Sequence, residues 1–196
     1  MSKDTTTAVV YHSGYGHTEV VAKAVARGAE KQGKAVLVKI SPEGKIEDSA
    51  WDALDSADAI IFGAPTYMGS ASGPFKMFAD ASSKAWFTQK WKDKIGGGFT
   101  TSHSMSGDKL STLQQMTVLA AQHGMIWVSL GIPPLDQTGD AHQRDVAGLN
   151  RVGSSLGAMA QTENVPADQS PPSGDVKTAE LYGERVAGIA KKLKAA

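Results

Sequence analysis

At 196 residues the chain has the length of one α/β domain with a single large core, and is short for two. Lys plus Arg and Asp plus Glu stand at 20 each, a formal charge of zero that excludes the basic field of a nucleic-acid binder and the acidic field that steers cationic partners. Without cysteine there is no disulfide, no thiolate metal site and no cysteine nucleophile.

The polar start Met1–Thr7 has no apolar signal stretch, and no segment reaches the length of a membrane span, so the expectation is a soluble, cytoplasmic protein. The first strand is Ala8-Val9-Val10-Tyr11. It breaks into Ser13-Gly14-Tyr15-Gly16-His17-Thr18, after which Val20, Val21, Ala24, Val25 and Ala29 recur at helical spacing. A turn between a strand's carboxyl end and a helix's amino end aims unpaired N–H groups and the helix dipole at one point, where an anion is stabilised. The Gly-Lys-Ser/Thr ending of a triphosphate loop is missing, and Glu19 stands where a dinucleotide fingerprint has its third glycine. Hydroxyls at Ser13 and Thr18 fit a terminal phosphate monoester instead. The same residues also make an ordinary strand-to-helix turn.

The first helix runs to Gln32-Gly33, with Gly33 as a left-handed cap, and a second strand covers 35–40. A short helix is expected near Asp48–Leu54. Ala59-Ile60-Ile61-Phe62-Gly63 reads as a buried strand, apolar without alternation. A fixed, extended loop is expected from Gly63 to Pro74, presenting Tyr67 as a wall for a planar ring, with a helix starting at Ser72 or Gly73. The fourth strand is Ile95–Thr100. It is followed by the hydroxyl-rich run Thr100–Asp108, a helix over 110–120, a fifth strand Met125–Ser129 and a last helix over 176–194. Strands alternating with helices specify a doubly wound parallel sheet, with its ligand at the carboxyl ends of the strands.

Three segments in order, Ser13-Gly14-Tyr15-Gly16-His17-Thr18, Gly63-Ala64-Pro65-Thr66-Tyr67-Met68-Gly69 and Ala121-Gln122-His123-Gly124-Met125, resemble the flavodoxin-like quinone reductases of the WrbA type. The likeness runs from the first strand to the last helix. It implies a three-layer, five-stranded parallel sheet of order 2-1-3-4-5, FMN as cofactor, NAD(P)H and quinones as substrates, and a homo-oligomer, dimer or tetramer. By position, Ser13, Gly14, Tyr15, Gly16, His17 and Thr18 would hold the FMN phosphate. Pro65, Thr66, Tyr67, Met68, Gly69 and Ser70 would line the isoalloxazine and ribityl chain. Thr100, Thr101, Ser102, His103, Ser104 and Gly107 would meet the flavin's other edge. His123 matches a histidine near the flavin, and is the catalytic candidate as hydrogen-bond donor to reduced flavin or a quinone oxygen. Trp86 matches a tryptophan that a neighbouring subunit places over the site.

Two features depart from the family pattern. His103, Met105 and Ser106 stand where the family has glycine or small residues, and Ser41–Ala57 is short where an insertion is usual. A one-electron flavodoxin carrier is the rival reading, disfavoured by the absent acidic field. A protein keeping the fold without flavin is a third. The stretch Gly131–Asp175, with Pro133-Pro134-Leu135-Asp136 and Val165-Pro166, reads as irregular, and is expected to serve as a lid or subunit contact. Within it, Arg151–Ala160 is assigned to a strand by the resemblance alone.

Overall fold

The computed structural model describes residues 5–134 and 146–196; Leu135 and Asp136 of the expected irregular stretch lie outside these. The described elements are β1 (Thr6–His12), α1 (His17–Glu30), β2 (Lys34–Ile40), α2 (Asp48–Ser56), β3 (Ala59–Tyr67), β4 (Ser70–Ala71), α3 (Gly73–Ala81), α4 (Ser83–Phe87), β5 (Ile95–Ser102), α5 (Lys109–Gln122), β6 (Ile126–Trp127), β7 (Ala158–Gln161) and α6 (Ser173–Ala195). The main path is β2-β1-β3-β5-β6, every pair parallel. With β5 and β6 as the fourth and fifth expected strands, this is the order 2-1-3-4-5.

The fifth strand is shorter than expected. Only Ile126 and Trp127 pair with β5, at Ile95 and Gly96, and β7 takes the farther half of the same edge, pairing Phe99–Ser102. Of the expected strand Arg151–Ala160, only the end is strand. The loop expected after β3 is also partly strand, because β3 runs on to Tyr67 and folds back as an antiparallel hairpin with Thr66 opposite Ala71 and Tyr67 opposite Ser70. Met68 and Gly69 at its tip both have positive φ, 48° and 79°, the backbone of a two-residue hairpin turn. Gly33 is not a left-handed cap. α1 ends at Glu30, and a Cβ at Gly33 would lie 2.2 Å from the Thr5 carbonyl oxygen, so close backbone approach requires the glycine.

Both sheet faces are covered. Val9, Tyr11, Ile61, Phe99 and Ile95 pack beneath α1 and α6, while Val10, Ile60, Phe62 and Trp91 pack with Phe75, Phe78, Leu113 and Met116 of α3 and α5. That two-sided burial is why β1 and β3 read as unbroken apolar runs. No helix among the described residues is long and apolar enough to cross a membrane.

Candidate functional site

The carboxyl ends of β1, β3 and β5 open into a cleft of about 550 Å³ lined by Tyr15, His17, Thr18, Pro65, Thr66, Tyr67, Thr101, Ser102 and His103, and by Thr162–Val165. α1 begins at His17 after Gly16, whose φ is 92°. Among the described residues no acceptor takes the N–H groups of Gly14, Tyr15 or Gly16, and those of His17 and Thr18 belong to the first helical turn, which leaves them free. Ser13 Oγ accepts the Glu19 N–H at 3.2 Å, which leaves its O–H to donate. Glu19 adds little repulsion, because Lys23 and Lys39 bind it at 2.9 and 2.7 Å and hold its carboxyl below the usual range. The turn therefore offers donors to a phosphate without a lysine or arginine of its own.

Threonine pairs fix the floor. Thr18 and Thr101 hydroxyls meet at 2.8 Å, as do Thr66 with Thr100 and Thr66 with Thr112. Because side chains alternate along a strand, Thr101 faces α1 while Thr100 faces α5. Thr100 is wholly buried, so its side chain does not reach the cleft as expected. Tyr67 stands at the mouth, edge-on to Tyr15 with ring centroids 6.2 Å apart. Its hydroxyl passes so near Gly14 that a Cβ there would lie 2.5 Å away. Met68 projects fully into solvent at the hairpin tip, and Gly69 beside it has open space.

One wall escaped sequence reasoning. His17 Nε2 donates to the Val165 carbonyl at 2.8 Å and His103 Nδ1 to that of Thr162 at 3.1 Å, so two imidazoles tie the 162–165 segment across the cleft. That segment lies in the stretch expected as a lid, and no motif marked its residues. Ser102 Oγ donates to the Ser104 carbonyl, and Gly107, φ 52°, lies against Ser102.

His123 and Trp86 are elsewhere. They line a separate cavity of about 510 Å³ between α3 and α5, together with Phe75, Ala79, Gln115 and Leu119. Within one chain His123 thus lies apart from the cleft at the carboxyl ends of β1, β3 and β5. Its ring packs on Trp91, centroids 4.3 Å apart, and its Nε2 lies 2.9 Å from Ser82 Oγ. Ser82 spends its only hydroxyl hydrogen on the Ala79 carbonyl at 2.7 Å, so Nε2 must carry the proton and Nδ1 the lone pair. Nδ1 has no partner among the described residues, and burial lowers the pKa of the ring. The neutral ring is an acceptor at Nδ1, not the expected donor.

A family model for NADPH-dependent FMN reductases matches residues 12–139, which span the phosphate-type turn, the β3 hairpin and the loop after β5. The chain belongs to this family. Among curated relatives of the chain, flavodoxin FldP of Pseudomonas aeruginosa is 50% identical over 187 residues, covering 95% of this chain and 97% of that protein. An NAD(P)H dehydrogenase (quinone) of Archaeoglobus fulgidus is 33% identical, covering 94% and 97%. Among solved structures, a flavodoxin, WrbA-like protein from Agrobacterium tumefaciens superposes with TM-score 0.77 at 49% identity, covering 96% and 98% of the two chains. The fold of the chain is accordingly flavodoxin-like.

Proposed function

We propose that the chain holds FMN in the cleft at the carboxyl ends of β1, β3 and β5 and transfers a hydride from NAD(P)H to quinones. The observation that carries this is the run of free N–H groups from Gly14 to Thr18, flanked by the Tyr67 hairpin, in a chain of the FMN reductase family. Bound FMN supplies the two-electron chemistry. The protein's part is placement: Ser13 to Thr18 hold the phosphate, Pro65 to Ser70 border the ring and ribityl chain, and Thr101 to Gly107 meet the other edge. His17 and His103 keep the 162–165 wall closed over that arrangement.

Trp86 and His123 belong to this reading through a second copy. They face away from their own cleft, and Trp86 lies beside Phe87, which is 77% exposed, so a homo-oligomer sets this pair over a neighbour's flavin. FMN titration and steady-state quinone reduction with NADH and NADPH test the proposal. Trp86→Ala and His123→Ala lower turnover while FMN stays bound; unchanged turnover rejects their role. A colourless protein whose melting temperature FMN does not move rejects the whole reading.

The name of the 50% identical relative favours a second reading, a one-electron carrier. A carrier stays inert with NAD(P)H and quinone until a separate reductase is added, whereas the enzyme turns over alone.

A further inference from the structure

Lys109, the first residue of α5, has no solvent exposure. A buried ammonium is costly unless its three donors find acceptors. Asp175 does not serve. It is held by Arg151, whose Nε lies 2.9 Å from Oδ1, and by the Gln161 N–H at 2.8 Å. Lys109 turns instead to the loop between β5 and α5, with Nζ 2.6 Å from the Ser104 carbonyl oxygen, 3.1 Å from that of Met105 and, more weakly, 3.4 Å from that of Ser106.

Three consecutive carbonyls thus converge on one cation. In a trans peptide the C=O and N–H point in opposite directions, so the N–H groups of Met105, Ser106 and Gly107 are turned away from Lys109. None of the three has an acceptor among the described residues. The loop also needs holding, because Gly107 and Asp108 both take left-handed backbone, φ 52° and 53°, and Asp108 is not a glycine.

We propose that Lys109 is a positioning residue for the flavin site: its ammonium fixes the backbone of 104–106 and, through it, the adjoining Ser102 and His103 that line the cleft. The inference rests on the FMN reading above. It also accounts for a departure from the family pattern, since His103, Met105 and Ser106 occupy loop positions where glycine or small residues are usual, and an internal tether sets their backbone. Burial pushes the Lys109 pKa down to about 8, Asp175 opposing the fall and Arg151 adding to it. The tether is therefore at full strength below that pH and weakens as pH rises through it.

The test compares wild type, Lys109→Met and Lys109→Arg by FMN fluorescence quenching on both sides of pH 8, and by amide hydrogen exchange in the FMN-free protein. Lys109→Met binds FMN about tenfold more weakly below pH 8, a difference of about 1.4 kcal/mol. Exchange at Met105, Ser106 and Gly107 speeds up in that variant while β1 and β3 keep their protection. Wild-type affinity falls as pH rises through 8, and Lys109→Arg, whose guanidinium stays charged, removes that fall. Wild-type affinity and loop exchange in Lys109→Met would overturn the proposal, and so would a loss of protection throughout the sheet with no change in the pH profile. Failure of wild type to bind FMN at all would instead overturn the FMN reading, and the exchange measurement would still decide the tether.

Discussion

Gly14→Ala tests whether the cleft is as tightly built as its geometry implies. Backbone strain is not involved, since Gly14 lies outside the left-handed region; the added Cβ meets Tyr67, at 2.5 Å from Oη and 3.4 Å from Cζ. The ring must give by roughly 0.5–1 Å, and because Tyr67 sits at the mouth and not in the core, global stability should fall by only about 1 kcal/mol. Binding should suffer more, because in the proposed function the displaced ring borders the flavin: FMN affinity should drop about tenfold, equivalent to about 1.4 kcal/mol. Tyr67→Phe removes the clashing oxygen and leaves the Cβ an ordinary contact with Cζ at 3.4 Å. In the double variant most of the lost affinity should return, giving a coupling of about 1 kcal/mol in a cycle measured by FMN fluorescence quenching. Effects that add within about 0.3 kcal/mol would refute the reasoning, for the two residues would then not be in contact.

Other consequences are more direct. Tyr182, wholly buried in α6, donates to the Val128 carbonyl at 2.8 Å and accepts the Gly98 N–H at 3.1 Å, so Tyr182→Phe strands two buried groups. It should cost about 2–4 kcal/mol and lower the melting temperature by about 5–12 °C; a fall under about 2 °C would contradict the account. His12 and His123 are buried and have lowered pKa values, His12 through burial and then Lys39, His123 through burial. The unfolded chain takes up those protons first, so the stability they contribute is full above the ordinary histidine value of about 6.5 and is lost as pH falls through the folded values. Urea unfolding at stepped pH should show that slope, and His12→Gln with His123→Gln should flatten it. Among the described residues the cleft has no lysine or arginine in its lining, so FMN affinity should change less than about threefold between low and high salt, against the steep loss expected of exposed ion pairs.

How much of this was legible in the sequence follows from the range of each interaction. β1, β3 and α1 carry local patterns, an unbroken apolar run or a 3.6-residue period, and the turn at Gly14–Gly16 has its own punctuation. The glycines of β5 are poor strand formers, yet they are there for packing: a Cβ at Gly97 would lie 2.8 Å from Tyr182 Oη, and one at Gly98 2.7 Å from the Trp127 ring. Those partners are distant in the chain, so nothing near the glycines announced them. The 162–165 wall depends likewise on His17 and His103, and the Lys109 tether looks from sequence like an ordinary polar start to α5. His123 failed for a different reason. Its motif is local and readable, but the cavity it lines depends on Ser82 and Trp91, which lie far from it in the chain.

The architecture explains why these parts are divided as they are. At the end of β5, Thr100 ties the strand to β3 and α5 through Thr66 and Thr112, while its neighbour Thr101 ties it to α1 through Thr18. Clamped from both faces, the floor of the cleft has little freedom left. The surrounding segments are attached differently: imidazoles of His17 and His103 hold the 162–165 wall, and the Lys109 ammonium holds the 104–106 carbonyls, each by a side chain bonded to backbone. Bonds of that kind can be released singly without unpicking a strand pair. The cleft thus combines a fixed floor, which the proposed hydride transfer between stacked rings would need, with borders that single bonds hold and that can yield.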